Sequence, residues 1–302
     1  MDRFLLGVNP LSVVDHFSHE RARNRQAQLT LDLRIKVLES ALRSGAQGFN
    51  FSLGDHSVTE MLRAFNQSMN DSLVGLYPMF PDTQGALSSI AEGGISNVIR
   101  EMLGKLSWSQ KARMLVKGGK SLLSANPITL AQAYMDVEVA NLLSIASPRG
   151  VLRSIFLNEI VTDLAVSFQS KEVLESHVMH VKDAYGLKAG FVTRNLPRFI
   201  SLCQECGFRL SDIIVMTAIN KIGFQMCPSR EAYEKVLREI KNANVIGMSI
   251  LAAGQLSVDE AIDYLNSLGS ISAVVVGVSS PEHARQTFGK LSTELIFPSN
   301  SH

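Results

Sequence analysis

Lys221 follows the apolar run Ile213 to Thr217 by only a few residues. A lysine so placed can form a Schiff base with a carbonyl compound if desolvation lowers its pKa; otherwise it is a solvated loop residue. Glu159 and Asp163 offer carboxylates for acid or base work, and Glu159 is also a candidate ion-pair partner for Lys221. Asn9, Asp55, His56, Tyr77, Asn158, Arg194, Asn220 and Ser249 are further polar residues at or just past the ends of apolar runs. His16 and His19 stand three apart among Asp15 and Glu20. On one helical turn they would share a face, but no H-E-x-x-H is present. The expectation is therefore no metal, with His19 either facing a substrate or on a surface loop. Cys203-Gln204-Glu205-Cys206 is formally a C-x-x-C, yet it comes late in a helix, with no second pair and no nearby histidine, and reads as structural. His177 and His180, in a regular helix with charged neighbours, read as outer-surface residues.

Eight apolar segments have the composition of strands buried on both faces: Phe4–Val8, Gly48–Ser52, Leu73–Pro78, Leu152–Asn158, Ala189–Thr193, Ile213–Thr217, Val245–Leu251 and Ala273–Val278. Helical periodicity separates them over Leu31–Ser44, Ser57–Met69, Ser170–Tyr185, Arg198–Cys206, Ser229–Asn242 and Val258–Leu268. Ser57 with Glu60, Ser229 and Ser257 read as helix starts, while Gly45, Gly186, Gly207 and Gly269 read as stops. Eight strands alternating with helices predict an α/β fold, a closed (β/α)8 TIM barrel in one domain over residues 1–302. An open doubly wound sheet is the alternative, but no G-x-G-x-x-G follows the first strand. The stretch 81–148 is too long for one barrel helix and predicts a helical insertion after the third strand, placed to act as a lid or as the contact of a homo-oligomer.

Bulk properties narrow the class. At 302 residues and 46% hydrophobic, the chain can bury a large core, and 29 Lys plus Arg against 28 Asp plus Glu leave no field that attracts nucleic acid or an anionic membrane. The run Arg21-Ala22-Arg23-Asn24-Arg25 is local and reads as a solvated loop or an anion contact. Three cysteines form no disulfide framework, and the start of the chain has too short an apolar run for a signal peptide. The expected setting is cytoplasmic, with a small-molecule substrate. The last two strands, each followed by a helix start, matter most: Ser280-Pro281-Glu282 opens a helix just past Ala273–Val278, where unpaired N–H groups and the helix dipole favour a phosphate.

With the strands in place, the chain resembles the aldo-keto reductase superfamily from its second strand to its end. Gly48-Phe49-Asn50-Phe51, Phe156-Leu157-Asn158-Glu159, Gly190-Phe191-Val192-Thr193 and Ile214 to Asn220 look like that family's second, fourth, fifth and sixth strands. Met248-Ser249-Ile250-Leu251-Ala252-Ala253-Gly254 and Val276 to Arg285 are the closest matches, in the segments that hold the cofactor's phosphates in relatives. The resemblance implies NADP as cofactor, with Thr193, Asn220, Ser249, Gly254, Ser279, Ser280 and Arg285 as binding residues. It does not extend to the family's Asp, Tyr, Lys and His: Leu53 and Val58 stand where the first two are expected, the third strand ends without lysine, and Asn158 replaces the histidine. Three readings follow. The first is a diverged reductase-like enzyme for a small carbonyl or hydroxyl compound, with Lys221, Glu159, His19, Tyr77 and Asn158 as candidate catalytic residues. The second is a non-redox lyase, aldolase or isomerase using Lys221 or a carboxylate. The third is a catalytically silent barrel with a binding role.

Overall fold

Short runs of β-branched and aromatic residues pair in parallel wherever both faces can be covered, and here they close on themselves. In a computed structural model, which describes residues 1–8, 11, 30–67, 73–82 and 126–297, the strands are β1 (Phe4–Gly7), β2 (Gly48–Ser52), β3 (Val74–Phe80), β4 (Gly150–Leu152), β5 (Phe156–Leu157), β6 (Ala189–Thr193), β7 (Ile213–Ala218), β8 (Asn244–Met248) and β9 (Ala273–Gly277). β1 pairs in parallel with both β2 and β9, and β2 pairs with β3, so the sheet is a closed barrel. β4 and β5 both lie against β3, and β5 continues to β6. They are one barrel position, so the barrel has eight staves, as the sequence predicts.

The helices among the described residues are α1 (Leu31–Arg43), α2 (His56–Gln67), α3 (Pro127–Ala146), α4 (Glu159–Ser167), α5 (Lys171–Tyr185), α6 (Leu196–Glu205), α7 (Arg230–Glu239), α8 (Val258–Leu268) and α9 (Pro281–Glu294). The expected starts at Ser229, Ser257 and Ser280 hold, and Ser257 forms a full capping box with Glu260. Ser57 does not cap α2. Asp55 does so instead, its Oδ1 accepting from the Ser57 amide at 2.8 Å, because the helix begins two residues earlier than the Ser-x-x-Glu spacing suggests. Within the expected insertion, 83–125 lies outside the described residues, as do Asn9, His16, His19 and the run 21–25.

The fourth stave departs from the expected continuous strand over Leu152–Asn158. Arg153, Ser154 and Ile155 leave regular pairing, yet their bonds persist: the Arg153 amide donates to Leu76 O at 3.0 Å, Ser154 Oγ to Lys188 O at 2.8 Å, and the Gly190 amide to Ile155 O at 2.9 Å. His177 secures the break from outside. Its Nε2 lies 3.1 Å from Ile155 O and 3.2 Å from Gly190 O, and its ring meets Phe191 edge-on at 5.3 Å. The outer-surface reading of His177 is therefore corrected: it is 6% exposed and bound into the gap of a broken strand.

Inside the barrel, Leu5, Tyr77, Phe156, Ile214, Met216 and Ile246 fill the lumen with their neighbours. Two rings fit only because glycines face them. A Cβ on Gly190 would meet Phe156 ring atoms at 2.5 Å, and one on Gly48 would meet Tyr77 Cε2 at 2.7 Å. No helix among the described residues is long and apolar enough to cross a membrane.

Burial pushes the His177 imidazole down from 6.5 to about 4. The folded state holds this histidine neutral while the unfolded chain binds a proton below pH 6.5, so stability falls as pH drops from 6.5 towards 4, by on the order of 3 kcal/mol in full. Urea titrations between pH 7 and about 5, above most carboxylate titration, should show this loss, and His177→Gln should flatten the profile.

Candidate active site

In a parallel barrel the carboxyl ends of all strands open on one mouth, and the loops there place the side chains that can do chemistry. Around β5 and β6 the polar groups are bound to one another. The Asn158 amide donates to Phe80 O at 2.7 Å, and its Oδ1 caps α4 by accepting from the Ile160 amide at 3.0 Å. Glu159, first in α4, forms a two-pronged ion pair with Arg194, at 2.6 Å to Nη2 and 3.0 Å to Nε. Its expected partner Lys221 is not involved. One turn on, Asp163 accepts from Thr193 Oγ1 at 2.5 Å and from the Arg194 amide at 3.1 Å. Burial raises the Asp163 pKa, and these hydrogen bonds hold the rise back.

The corner between β7 and β8 is equally self-contained at its centre. Asn220 Oδ1 accepts from the Phe224 amide at 2.7 Å, and Nδ2 donates to Phe224 O at 2.8 Å and to Ser249 O at 3.3 Å. Asn220 thus closes its own loop and clamps it to the end of β8. Lys221 points elsewhere, its side chain 54% exposed and its Nζ 4.0 Å from Glu260. This is not the dry pocket that Schiff-base chemistry requires.

Past β8 the backbone turns through left-handed conformations at Ser249 (φ 53°), Ala252 (45°), Ala253 (58°) and Gly254 (87°). Three of these four residues carry a Cβ, which that region disfavours. In this turn the amides of Ile250, Leu251 and Ala253 have no acceptor among the described residues. Consecutive amides in such conformations make a concave anion site. Past β9, Ser279 is exposed, Ser280 Oγ accepts from the His283 amide at 3.1 Å, and Arg285 is bonded to Glu282 one turn earlier on the outside of α9.

Tyr77 is not at the mouth. Its hydroxyl reaches the opposite end of the barrel, accepting from the Asp2 amide at 2.9 Å and donating to Asp2 Oδ2 at 3.0 Å, with Arg153 Nε 3.6 Å from the same oxygen. Burial holds this phenol far above its usual range. A recess lined by Asp2, Gln47, Gly75 and Arg153 lies at that same end, away from every carboxyl-end residue. Tyr77 therefore helps floor the barrel.

Two half-buried groups of the helix layer stand outside the sequence candidates. Tyr134 and Glu138 lie on α3 over the ends of β3 and β2: the Tyr134 ring is 5.9 Å from Phe80, and a Cβ on Gly54 would sit 3.7 Å from Glu138 Oε2. Burial raises both groups, Tyr134 to about 12 with help from Glu138 and Asp82, while His56 draws Glu138 back. A tyrosine and a glutamate four apart in an apolar helix were the available signal. Among the described residues no cluster of His, Cys, Asp and Glu has the spacing to hold a metal.

No protein-family model and no curated protein matches the chain in sequence. Solved structures do match it in shape. Two are of proteins from Pseudomonas aeruginosa provisionally assigned as aldo-keto reductases. One aligns with a TM-score of 0.58 over 97% of this chain and 90% of its own, the other with 0.55 over 97% and 91%, each at 12% identity. The chain shares their fold. At that identity the likeness carries the (β/α)8 fold alone and leaves the chemistry to the residues.

The two carboxylates of α4 should differ in what they contribute. Asp163→Ala leaves the Thr193 hydroxyl and the Arg194 amide without their acceptor in a half-buried setting, an expected loss of about 1–3 kcal/mol. Glu159→Gln breaks a pair that water reaches and should cost under about 1 kcal/mol. Urea denaturation of the two variants measures both.

Proposed function

We propose that the chain is a diverged aldo-keto-reductase-like enzyme that binds NADP across the loops after β8 and β9 and acts on a small carbonyl or hydroxyl compound. The carrying observation is the left-handed turn after β8, whose Ile250, Leu251 and Ala253 amides lack internal acceptors in a barrel of the reductase fold. These amides, with Ser249 beside them, fit the phosphates, as does the start of α9 at Ser280. Arg285 would join them only by exchanging Glu282 for a phosphate. When bound, the nucleotide supplies or accepts hydride.

The other end of the site has a different character. Thr193 and Asn220 are committed to Asp163 and to the Phe224 loop, so they shape the floor of the mouth and spend no hydrogen bonds on a ligand. Met79 and Met248, partly buried over the lumen, keep water from the barrel interior. Asn158 acts as a helix cap and Glu159 as the brace of Arg194. The alternative Schiff-base use of Lys221 finds no support in its exposed position beside Glu260.

Thermal unfolding with and without nucleotide is the direct test. A ligand present at 100 times its Kd stabilises by about 2.7 kcal/mol, so NADP should raise Tm by several degrees and lose part of that effect at high salt. A Tm unmoved by saturating NADP and NAD would overturn the reading.

A further inference from the structure

The amino end of the barrel, opposite the mouth, carries a recess of about 270 Å³ where the approaches to the first four staves meet. Parallel barrels do their chemistry at the other end, so polar groups here ordinarily serve the fold. Asp2, Gln47 and Arg153 do so only in part. The Asp2 carboxyl, 17% exposed, uses Oδ2 to accept from the Tyr77 hydroxyl at 3.0 Å. Gln47 Oε1 accepts from the Arg3 amide at 2.7 Å, which fixes the orientation of the side-chain amide. Arg153 Nε stands 3.6 Å from Asp2 Oδ2, an ion-pair distance too long for a hydrogen bond. Among the described residues, Asp2 Oδ1, Gln47 Nε2 and the N–H groups of the Arg153 guanidinium have no hydrogen-bond partner.

The backbone holds these three residues in place. The Arg153 amide donates to Leu76 O at 3.0 Å, and Gln47 is bonded through both its backbone groups, its amide to Phe4 O at 2.8 Å and its carbonyl to the Gly75 amide at 2.9 Å. Gly75 lets the charged pair meet. A Cβ there would overlap the Asp2 carboxyl and come within 3.1 Å of Arg153 Cγ, so both residues cross over its Cα. Leu42 and Leu73 give the recess an apolar wall, Leu73 being 63% exposed. A purely anionic ligand would meet the charge of Asp2, and a purely cationic one that of Arg153. A ligand carrying both charges matches the pair.

We propose that this recess binds a small aliphatic α-amino acid as its zwitterion, with the carboxylate on Arg153 and Gln47 Nε2, the ammonium on Asp2 Oδ1 and the side chain on Leu42 and Leu73. A planar guanidinium matches a carboxylate through two parallel bonds. The volume lies just under the range of about 300–1,000 Å³ typical of sites for larger ligands, which suits a molecule the size of leucine. The site lies at the opposite end of the barrel from the nucleotide loops and does not depend on the reductase reading.

Isothermal calorimetry of the full chain with L-leucine is the test, with glycine, 4-methylpentanoate and 3-methylbutylamine as comparisons. L-Leucine should bind at one site with a Kd below about 1 mM, and glycine at least about tenfold more weakly for want of the apolar contact. Each single-charge analogue leaves Asp2 or Arg153 unmatched and should also bind at least about tenfold more weakly. Arg153→Gln and Asp2→Asn should each weaken L-leucine at least about tenfold, with Arg153→Lys recovering part of the first loss. Asp2→Asn keeps an acceptor for the Tyr77 hydroxyl; should it still fail to fold, Arg153→Gln, at an exposed side chain, decides. The proposal is overturned if L-leucine does not bind at concentrations up to about 10 mM. It is also overturned if either single-charge analogue binds as tightly as L-leucine, or if the folded variants bind L-leucine as the wild type does.

Discussion

The lumen of the barrel has to be filled by side chains while eight parallel staves close around it, and every position at the mouth inherits its place from that filling. Tyr77 and Phe156 are the bulkiest contributors, and their rings leave room for no Cβ at Gly48 or Gly190. Small residues opposite large ones let the layers interdigitate at the density of a protein interior. Phe156 is also one of only two regularly paired residues in β5. The stave that supplies Asn158 and Glu159 to the mouth is thus anchored chiefly by one ring in a glycine-lined slot. His177 bonds the same stave from the outside. A weak strand held from both sides can carry polar residues at its end without drifting.

Above that filled lumen, most polar groups serve the scaffold. Asn158 and Asn220 spend their side chains on capping and loop closure, and Thr193 and Asp163 satisfy each other. Buried polar groups are costly unless paired, so a mouth rich in amides and carboxylates is stable because these bonds are internal. The consequence is selective. What has no internal acceptor among the described residues is backbone, in the turn after β8. Left-handed alanines in that turn carry strain of about 1–2 kcal/mol each, which the surrounding packing of β8 and α8 must offset.

The barrel was legible because parallel strands buried on both faces must be continuously apolar, and Val245 to Met248 and Ala273 to Val278 are. Cap chemistry was legible at Ser257 and Ser280 for a similar local reason. The fourth stave was not, because its interruption at Arg153 and Ser154 rests on bonds to Leu76 and Lys188, residues distant in sequence. Tyr77 misled because alternation says which face of a strand a side chain takes but not towards which end of the barrel a long ring leans. Glu159 found Arg194 in place of Lys221 because Arg194 is the cation one stave away, a fact of stave order and not of spacing.

His177 and Tyr134 show why apparent surface helices conceal such groups. One sits in a helix with charged neighbours and the other in a mostly apolar one, and in each what the side chain meets is decided by which strand lies beneath. His177 meets a gap in a strand, where two carbonyls accept its proton, so its burial is compensated. Tyr134 packs on Phe80 at the end of a strand, where burial and the charges of Glu138 and Asp82 disfavour its ionised form. A phenol in the first position is locked into structure. In the second it stays protonated and unbonded, because its neighbours raise the cost of losing the proton without accepting it. Whether a half-buried polar group in this barrel is bonded or left open thus depends on whether the strand beneath it still has carbonyls to offer.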